Sequence, residues 1–157
     1  MVAKHYIRLI FCFLIFSLMI KSIKSDEHMN NINISIDEAE KLYNSNQIKI
    51  IDIRTEKEWK MTGVIPNTFL VNMHNEDFTE NPNFINIVKD LLNKNLDSKI
   101  AFICASGARS EIAANYFKNK KHKNIFHIPT GILGKQEDGW LYLGLPIESF
   151  NKEKVIN

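Results

Sequence analysis

The sequence predicts an α/β fold, with a mainly parallel central sheet and helices on both faces. Three observations predict it. Runs rich in β-branched and aromatic residues near 47–54, 68–72, 100–103 and 124–128 alternate with stretches of helical periodicity. Ile100, Ala101, Phe102 and Ile103 form an uninterrupted apolar run, as in a strand covered on both sides. Asp52, Arg54 and Cys104 fall at the carboxyl ends of the expected strands, where such sheets bind ligands.

The first 25 residues stand apart. Lys4 and Arg8 precede a twelve-residue apolar run at 9–20, and Lys21 and Lys24 follow it. That is the charge and length pattern of a secretion signal, and the run is shorter than the roughly 20 residues of a spanning helix. The expectation is an exported protein, periplasmic or otherwise extracytoplasmic, with a retained membrane anchor as the alternative. Without residues 1–25 the chain keeps 132 residues, 16 basic and 18 acidic, a net charge of −2. Nothing in that balance points to nucleic acid. Cys12 leaves with the leader, so Cys104 becomes the single thiol of the mature chain. An intramolecular disulfide, a C-x-x-C redox pair and a cysteine-rich metal site are thereby excluded.

Along the rest of the chain, residues 26–33 read as a flexible lead-in and 34–150 as one domain. Ser35 or Asp37 caps a helix over 38–45, and a strand follows at 47–54. Thr55 with Glu58 three residues on forms a capping box for a short helix that Gly63 closes. After a turn at Pro66-Asn67 comes a strand over 68–72, then a polar loop over 73–81. Pro82 fits the first position of a helix to about Asn93, burying Phe84, Ile87, Val88, Leu91 and Leu92. The central strand follows, then a helix from Glu111 whose apolar positions are Ile112, Ala113, Tyr116 and Phe117. A last strand covers 124–128. A turn at 129–131, a polar loop at 135–139 and a helical turn over 140–143 complete the domain.

The chemistry is carried by the six residues from Cys104 to Arg109. Ala105, Ser106, Gly107 and Ala108 have little bulk, and they join a strand end to a helix N-terminus. Such a turn aims unpaired backbone N–H groups at the sulfur. With the helix dipole and Arg109, those donors favour a thiolate. Arg109 has a second reading, a helix-start arginine that pairs with Asp52 or Glu111. Asp52 and Arg54 either orient the loop or form a surface ion pair tying strand to helix. His74, His122 and His127 lie in separate segments without ligand spacing, so no metal site is expected, and no cofactor. His127 reads as a satisfied core or edge residue rather than a base, and Trp140 with Leu145 and Phe150 as core.

Three separated motifs resemble those of the single-domain rhodanese family. Ile51-Asp-Ile-Arg54 with Glu58-Trp59 and Gly63-Val-Ile-Pro66 resembles the first signature, a D-x-R strand end followed by G-H-I-P. Cys104-Ala-Ser-Gly-Ala-Arg-Ser110 matches the loop C-x-x-G-x-R-S. Thr130-Gly131-Ile132, Trp140 and Gly144-Leu-Pro146 resemble the closing motif. Val64 replaces the family's histidine, Thr130 replaces a glycine, and residues 134–138 look inserted.

The resemblance implies a sulfurtransferase. Cys104 takes sulfane sulfur from a small donor such as thiosulfate, becomes a persulfide, and passes the sulfur to a thiol, a cyanide-like acceptor or an acceptor protein. It makes Cys104 the nucleophile and gives donor binding to Ala105, Ser106, Gly107, Ala108, Arg109 and Ser110, with Asp52 and Arg54 in support. The alternatives are a non-enzymatic persulfide carrier, a partner-binding module, and a cysteine phosphatase or arsenate reductase. Phosphatases with a similar loop have five residues between cysteine and arginine, and a histidine just before the cysteine. Here there are four, and Ile103 precedes Cys104. One residue fewer shortens the loop by about 3.3–3.6 Å of chain, which favours cradling one sulfur over a tetrahedral oxyanion.

Overall fold

The computed structural model describes residues 31–95, 97–118, 122 and 124–156. The expected secretion leader at 1–25 lies outside them, as does the lead-in as far as residue 30. Among the described residues, no helix is long and apolar enough to cross a membrane.

Helix α1 (Ile36–Asn44) begins where Ser35 Oγ accepts the Glu38 N–H at 3.2 Å. Strand β1 (Ile48–Asp52) leads to α2 (Glu56–Thr62), opened by the Thr55–Glu58 capping box and closed at Gly63. Strand β2 (Phe69–Leu70), α3 (Phe84–Asn93), β3 (Lys99–Ile103), α4 (Ala108–Lys118) and β4 (Ile125–His127) follow. A short 3-10 turn, Lys152–Lys154, comes last.

The four strands are all parallel, in the order β2-β1-β3-β4. The register between β1 and β3 sets Asp52 beside Ile103, so both strands end at one level, and Cys104 emerges next to Ile53 and Arg54. Alternation along the strands splits the core in two. Ile51, Ile100 and Phe102 face α3 and α4 through Phe84, Val88, Ala113, Ala114 and Phe117. Ile48, Ile50, Ala101 and Ile103 face α1 and the final turns through Ile36, Ala39, Ile132 and Trp140. Trp59, Val64 and Leu70 make a smaller cluster, on which Phe150 stacks through Trp59.

Both sheet edges are covered. Residues 32–34 pair with β4, with the Ile34 N–H donating to the His127 carbonyl and the His127 N–H to the Ile32 carbonyl. The end of the expected lead-in is therefore bound backbone, because β4 would otherwise expose a row of unpaired groups. At the opposite edge the Ile156 N–H donates to the Leu70 carbonyl.

Two helices differ from expectation. Helix α3 starts at Phe84, with Pro82 in the preceding turn, because the Asn81 side chain accepts the Asn83 N–H and holds that turn apart from the helix. Helix α4 buries Ser110, Ala113, Ala114 and Phe117, whereas Ile112 is 61% and Tyr116 38% exposed. The small residues at 110, 113 and 114 let the helix lie close on β3, so its buried stripe is marked by size rather than hydrophobicity. Phe117, stacked on Phe102 at 5.6 Å, supplies the bulk. Phe117→Ala is expected to cost about 3–5 kcal/mol in urea unfolding, and Ile112→Ala no more than about 0.5 kcal/mol. Equal losses would put α4 in the wrong rotation.

Candidate active site

Cys104 is the first residue past β3 and is 1% exposed. Its Sγ accepts the Gly107 N–H at 3.2 Å and lies 3.6 Å from Ser110 Oγ. The turn is tight because Gly107 has φ +93°, and a Cβ there would lie 2.0 Å from the Pro129 carbonyl oxygen. Only glycine meets both conditions. The turn is also fastened from outside: Ile132 N–H donates to the Cys104 carbonyl and Leu133 N–H to that of Ala105, each at 2.9 Å. Ala105 and Ser106 form a half-buried rim, Ala108 is exposed, and Ser110 is fully buried beneath the sulfur. The Ser110 hydroxyl gives its proton to the Gly107 carbonyl at 2.8 Å. Among the described residues, Gly107 supplies the loop N–H that reaches Sγ.

Arg109 pairs with neither Asp52 nor Glu111. Its guanidinium grips Glu58 with two parallel bonds, Nη1 to Oε2 at 2.9 Å and Nη2 to Oε1 at 2.5 Å. The same carboxylate accepts the Thr55 N–H at 2.8 Å, so one side chain completes the capping box of α2 and holds the first turn of α4. Burial would raise the Glu58 pKa, but Arg109 and the Thr55 N–H outweigh it and bring it down from 4.5 to about 2. Glu58 in turn holds Arg109 protonated against burial, with smaller contributions from the nearby Cys104 and Asp52 charges. Sequence reasoning missed this contact because the capping box already accounted for Glu58.

Asp52 and Arg54 form a pair that is buried, not on the surface, with exposures of 0% and 1%. Arg54 Nε and Nη2 bond the Asp52 carboxylate at 2.7–3.0 Å, while Nη1 reaches Thr62 Oγ1 and Nη2 the Gly63 carbonyl. The pair ties the end of β1 to the end of α2 without hydrogen-bonding the loop. It bears on the loop through α2, which presents Glu58, and through the Asp52 charge, which favours the Arg109 cation. His127 is the satisfied, buried residue expected: both its ring nitrogens are bonded, Nδ1 to Ser110 Oγ at 3.3 Å and Nε2 to Asn33 Oδ1 at 2.8 Å. Neither His127 nor Asn33 carried a spacing that could have marked it. Among the described residues no cluster of potential metal ligands occurs.

A parallel sheet whose central strand ends in a cysteine, wrapped by a four-residue turn and followed by arginine and a helix, defines a class of thiol-centred domains. Residues 35–137 match the rhodanese-like domain family, and the chain belongs to it. It is 38% identical over 109 residues to an uncharacterized protein of Rickettsia prowazekii, covering 65% of this chain and 84% of that one. Among solved structures it is similar to a protein of M. tuberculosis, with a TM-score of 0.60 and 24% identity over 75% of this chain and 99% of that one. A thiosulfate sulfurtransferase of Pseudomonas aeruginosa has the same fold, with a TM-score of 0.58 and 18% identity, over 82% of this chain and 22% of that one.

The departures from the family motifs have structural explanations. Val64 is buried and exchanges two backbone hydrogen bonds with Glu148, so the position serves packing. Thr130 stands where glycine is dispensable, since its backbone is not left-handed. Gly131 is at φ +68°, where a Cβ would meet the Ala105 carbonyl oxygen at 2.6 Å. Residues 134–138 close on themselves, with Asp138 Oδ1 accepting the Lys135 and Gln136 N–H groups. The neck of that turn, at 131–133 and 139–141, is bonded to itself, and its 132–133 side also bonds the Cys104 turn. The insertion therefore leaves the loop's bracing intact.

Because the folded pKa of Glu58 lies below its ordinary 4.5, its stabilising effect is complete above that value and is lost as pH falls towards about 2. Melting temperatures between pH 6 and pH 2 are expected to fall more steeply in the wild type than in Glu58→Gln. Parallel curves would mean that the Glu58–Arg109 pair contributes nothing.

Proposed function

We propose that the chain is a sulfurtransferase whose Cys104 carries sulfane sulfur as a persulfide. Membership of the rhodanese-like family supports the class of chemistry. The observation that carries the reading is the position of Cys104 Sγ on the floor of a four-residue turn, with the Gly107 N–H 3.2 Å away. That N–H favours negative charge on sulfur, first on the thiolate and then on the persulfide.

In the first half-reaction the Cys104 thiolate attacks the outer sulfur of thiosulfate. The new S–S bond forms as the old one breaks, and sulfite leaves with the bonding pair. In the second, cyanide or a thiolate attacks the terminal sulfur and the Cys104 thiolate departs. No external oxidant, reductant or metal is needed to balance either step. Arg109 keeps further N–H donors beyond the two that hold Glu58, and these suit the sulfonate end of such a donor.

Full-length reduced protein supplied with thiosulfate and cyanide is expected to release thiocyanate with ping-pong kinetics. It should hydrolyse p-nitrophenyl phosphate negligibly, and Cys104→Ser should abolish thiocyanate release. Stoichiometric loading without turnover would identify a carrier. Phosphate-ester hydrolysis through Cys104 faster than sulfur transfer would overturn the reading.

A further inference from the structure

His127 is fully folded into the domain, at 3% exposure, yet nothing in the sulfur-transfer steps above uses it. A buried titratable ring with both nitrogens bonded is costly to place unless its partners are fixed. Here they are fixed from two sides. Ser110 is rigid on the first turn of α4, and Asn33 is held by the paired backbone of residues 32–34 along the outer edge of β4. The order of contacts is continuous: Cys104 Sγ to Ser110 Oγ at 3.6 Å, Ser110 Oγ to His127 Nδ1 at 3.3 Å, and His127 Nε2 to Asn33 Oδ1 at 2.8 Å.

We propose that Asn33, His127 and Ser110 form a proton relay that takes the thiol proton from Cys104 and returns it, making His127 the base of the site acting through Ser110. With Asn33 Oδ1 facing Nε2, that nitrogen carries the ring proton, and Nδ1 of the neutral ring presents its lone pair to Ser110. The Ser110 proton has two acceptors, the Gly107 carbonyl at 2.8 Å and Nδ1 at 3.3 Å. When it moves to Nδ1, Ser110 Oγ takes the proton of Cys104. The products are a Cys104 thiolate and a His127 imidazolium, with the Ser110 O–H now beside the sulfur. One S–H and one O–H bond break, one O–H and one N–H bond form, and no proton leaves the protein. Discharge of the persulfide as a thiol runs the same steps backwards.

The surroundings suit a base rather than a standing cation. Burial lowers the ring's pKa and Glu111, on α4, raises it, the former prevailing. Asn33 accepts the Nε2 proton without bringing a charge of its own, as aspartate would. The neighbouring residue across the sheet is the apolar Phe102. Among the described residues, Glu111 on α4 is the ionisable group whose charge acts on the ring. A hydroxyl set between nucleophile and imidazole also explains the burial of Ser110, which the loop's contact with a donor does not require.

The inference rests on Cys104 being the nucleophile, but its test does not depend on sulfur transfer. The rate of Cys104 alkylation by iodoacetamide is measured from pH 5 to pH 10 in the full-length protein and in Ser110→Ala, His127→Asn and the double variant. A positioned base contributes about 10²-fold or more. Alkylation at pH 7 is therefore expected to fall by about 10²-fold in each single variant, to fall no further in the double, and to recover towards the wild-type rate near pH 10. His127→Asn keeps a polar group near Nδ1 but cannot hold the proton. Wild-type protein labelled with ¹⁵N-histidine gives a second reading that needs no variant: in the neutral ring Nε2 is expected to carry the proton. A ring protonated at Nδ1, an unchanged pH profile in Ser110→Ala, or additive losses in the double variant would each overturn the relay. Normal alkylation profiles with no transfer from thiosulfate would instead strike at the sulfurtransferase reading and leave the relay standing.

Discussion

The site depends on one close approach between two turns. Gly107 rests against the Pro129 carbonyl at a distance that admits no Cβ, and Gly131 returns the contact against the carbonyls of Cys104 and Ala105. Two backbone hydrogen bonds, from Ile132 and Leu133, lock the pair. Everything needed at the sulfur follows from that clamp. The Gly107 N–H turns inward to Sγ, the first turn of α4 starts at a fixed angle, and Ser110 is carried beneath the sulfur. The approach costs backbone freedom at two glycines in left-handed conformations. The surrounding buried turns repay it through hydrogen bonds rather than large apolar contacts.

Charge is arranged around the clamp in two separate pairs with different tasks. Asp52 with Arg54 is wholly buried and built into the join between β1 and α2. Removing one partner would leave an uncompensated interior charge, which is the strongly destabilising case for such pairs. Glu58 with Arg109 is only partly shielded, with 21–25% of each side chain exposed, so solvent screens much of its energy. Its importance is geometric. The bidentate grip fixes the guanidinium plane over the loop and links α2 to α4, so the first pair sets the position of the second.

Much of this was legible in the sequence, and the limits have physical causes. The four strand segments of a mainly parallel sheet, the strand–turn–helix at Cys104 and the Thr55–Glu58 box follow from local patterns with strong steric meaning. The rotation of α4 was not legible, because a helix that lies close to a sheet buries small residues, and Ile112 and Tyr116 outweighed Ser110 and Ala114 in any hydrophobic pattern. Pro82 suits a helix start, yet the Asn81 side chain claims the turn first. Glu58 lies 51 residues from Arg109 and Asn33 lies 94 from His127, and no local spacing encodes such contacts. Asn33 fell in a stretch whose polarity suggested a loose tail, because pairing to a sheet edge uses backbone groups and leaves no mark on side-chain composition.

The sulfurtransferase proposal requires that the Cys104 sulfur accept another sulfur atom. Intact-mass measurement of the reduced full-length protein after brief exposure to thiosulfate, followed by peptide mapping, tests it most directly. A gain of one sulfur atom is expected, located on the peptide containing Cys104 and removed by cyanide. An unchanged mass under conditions where Cys104 is freely alkylated would contradict it.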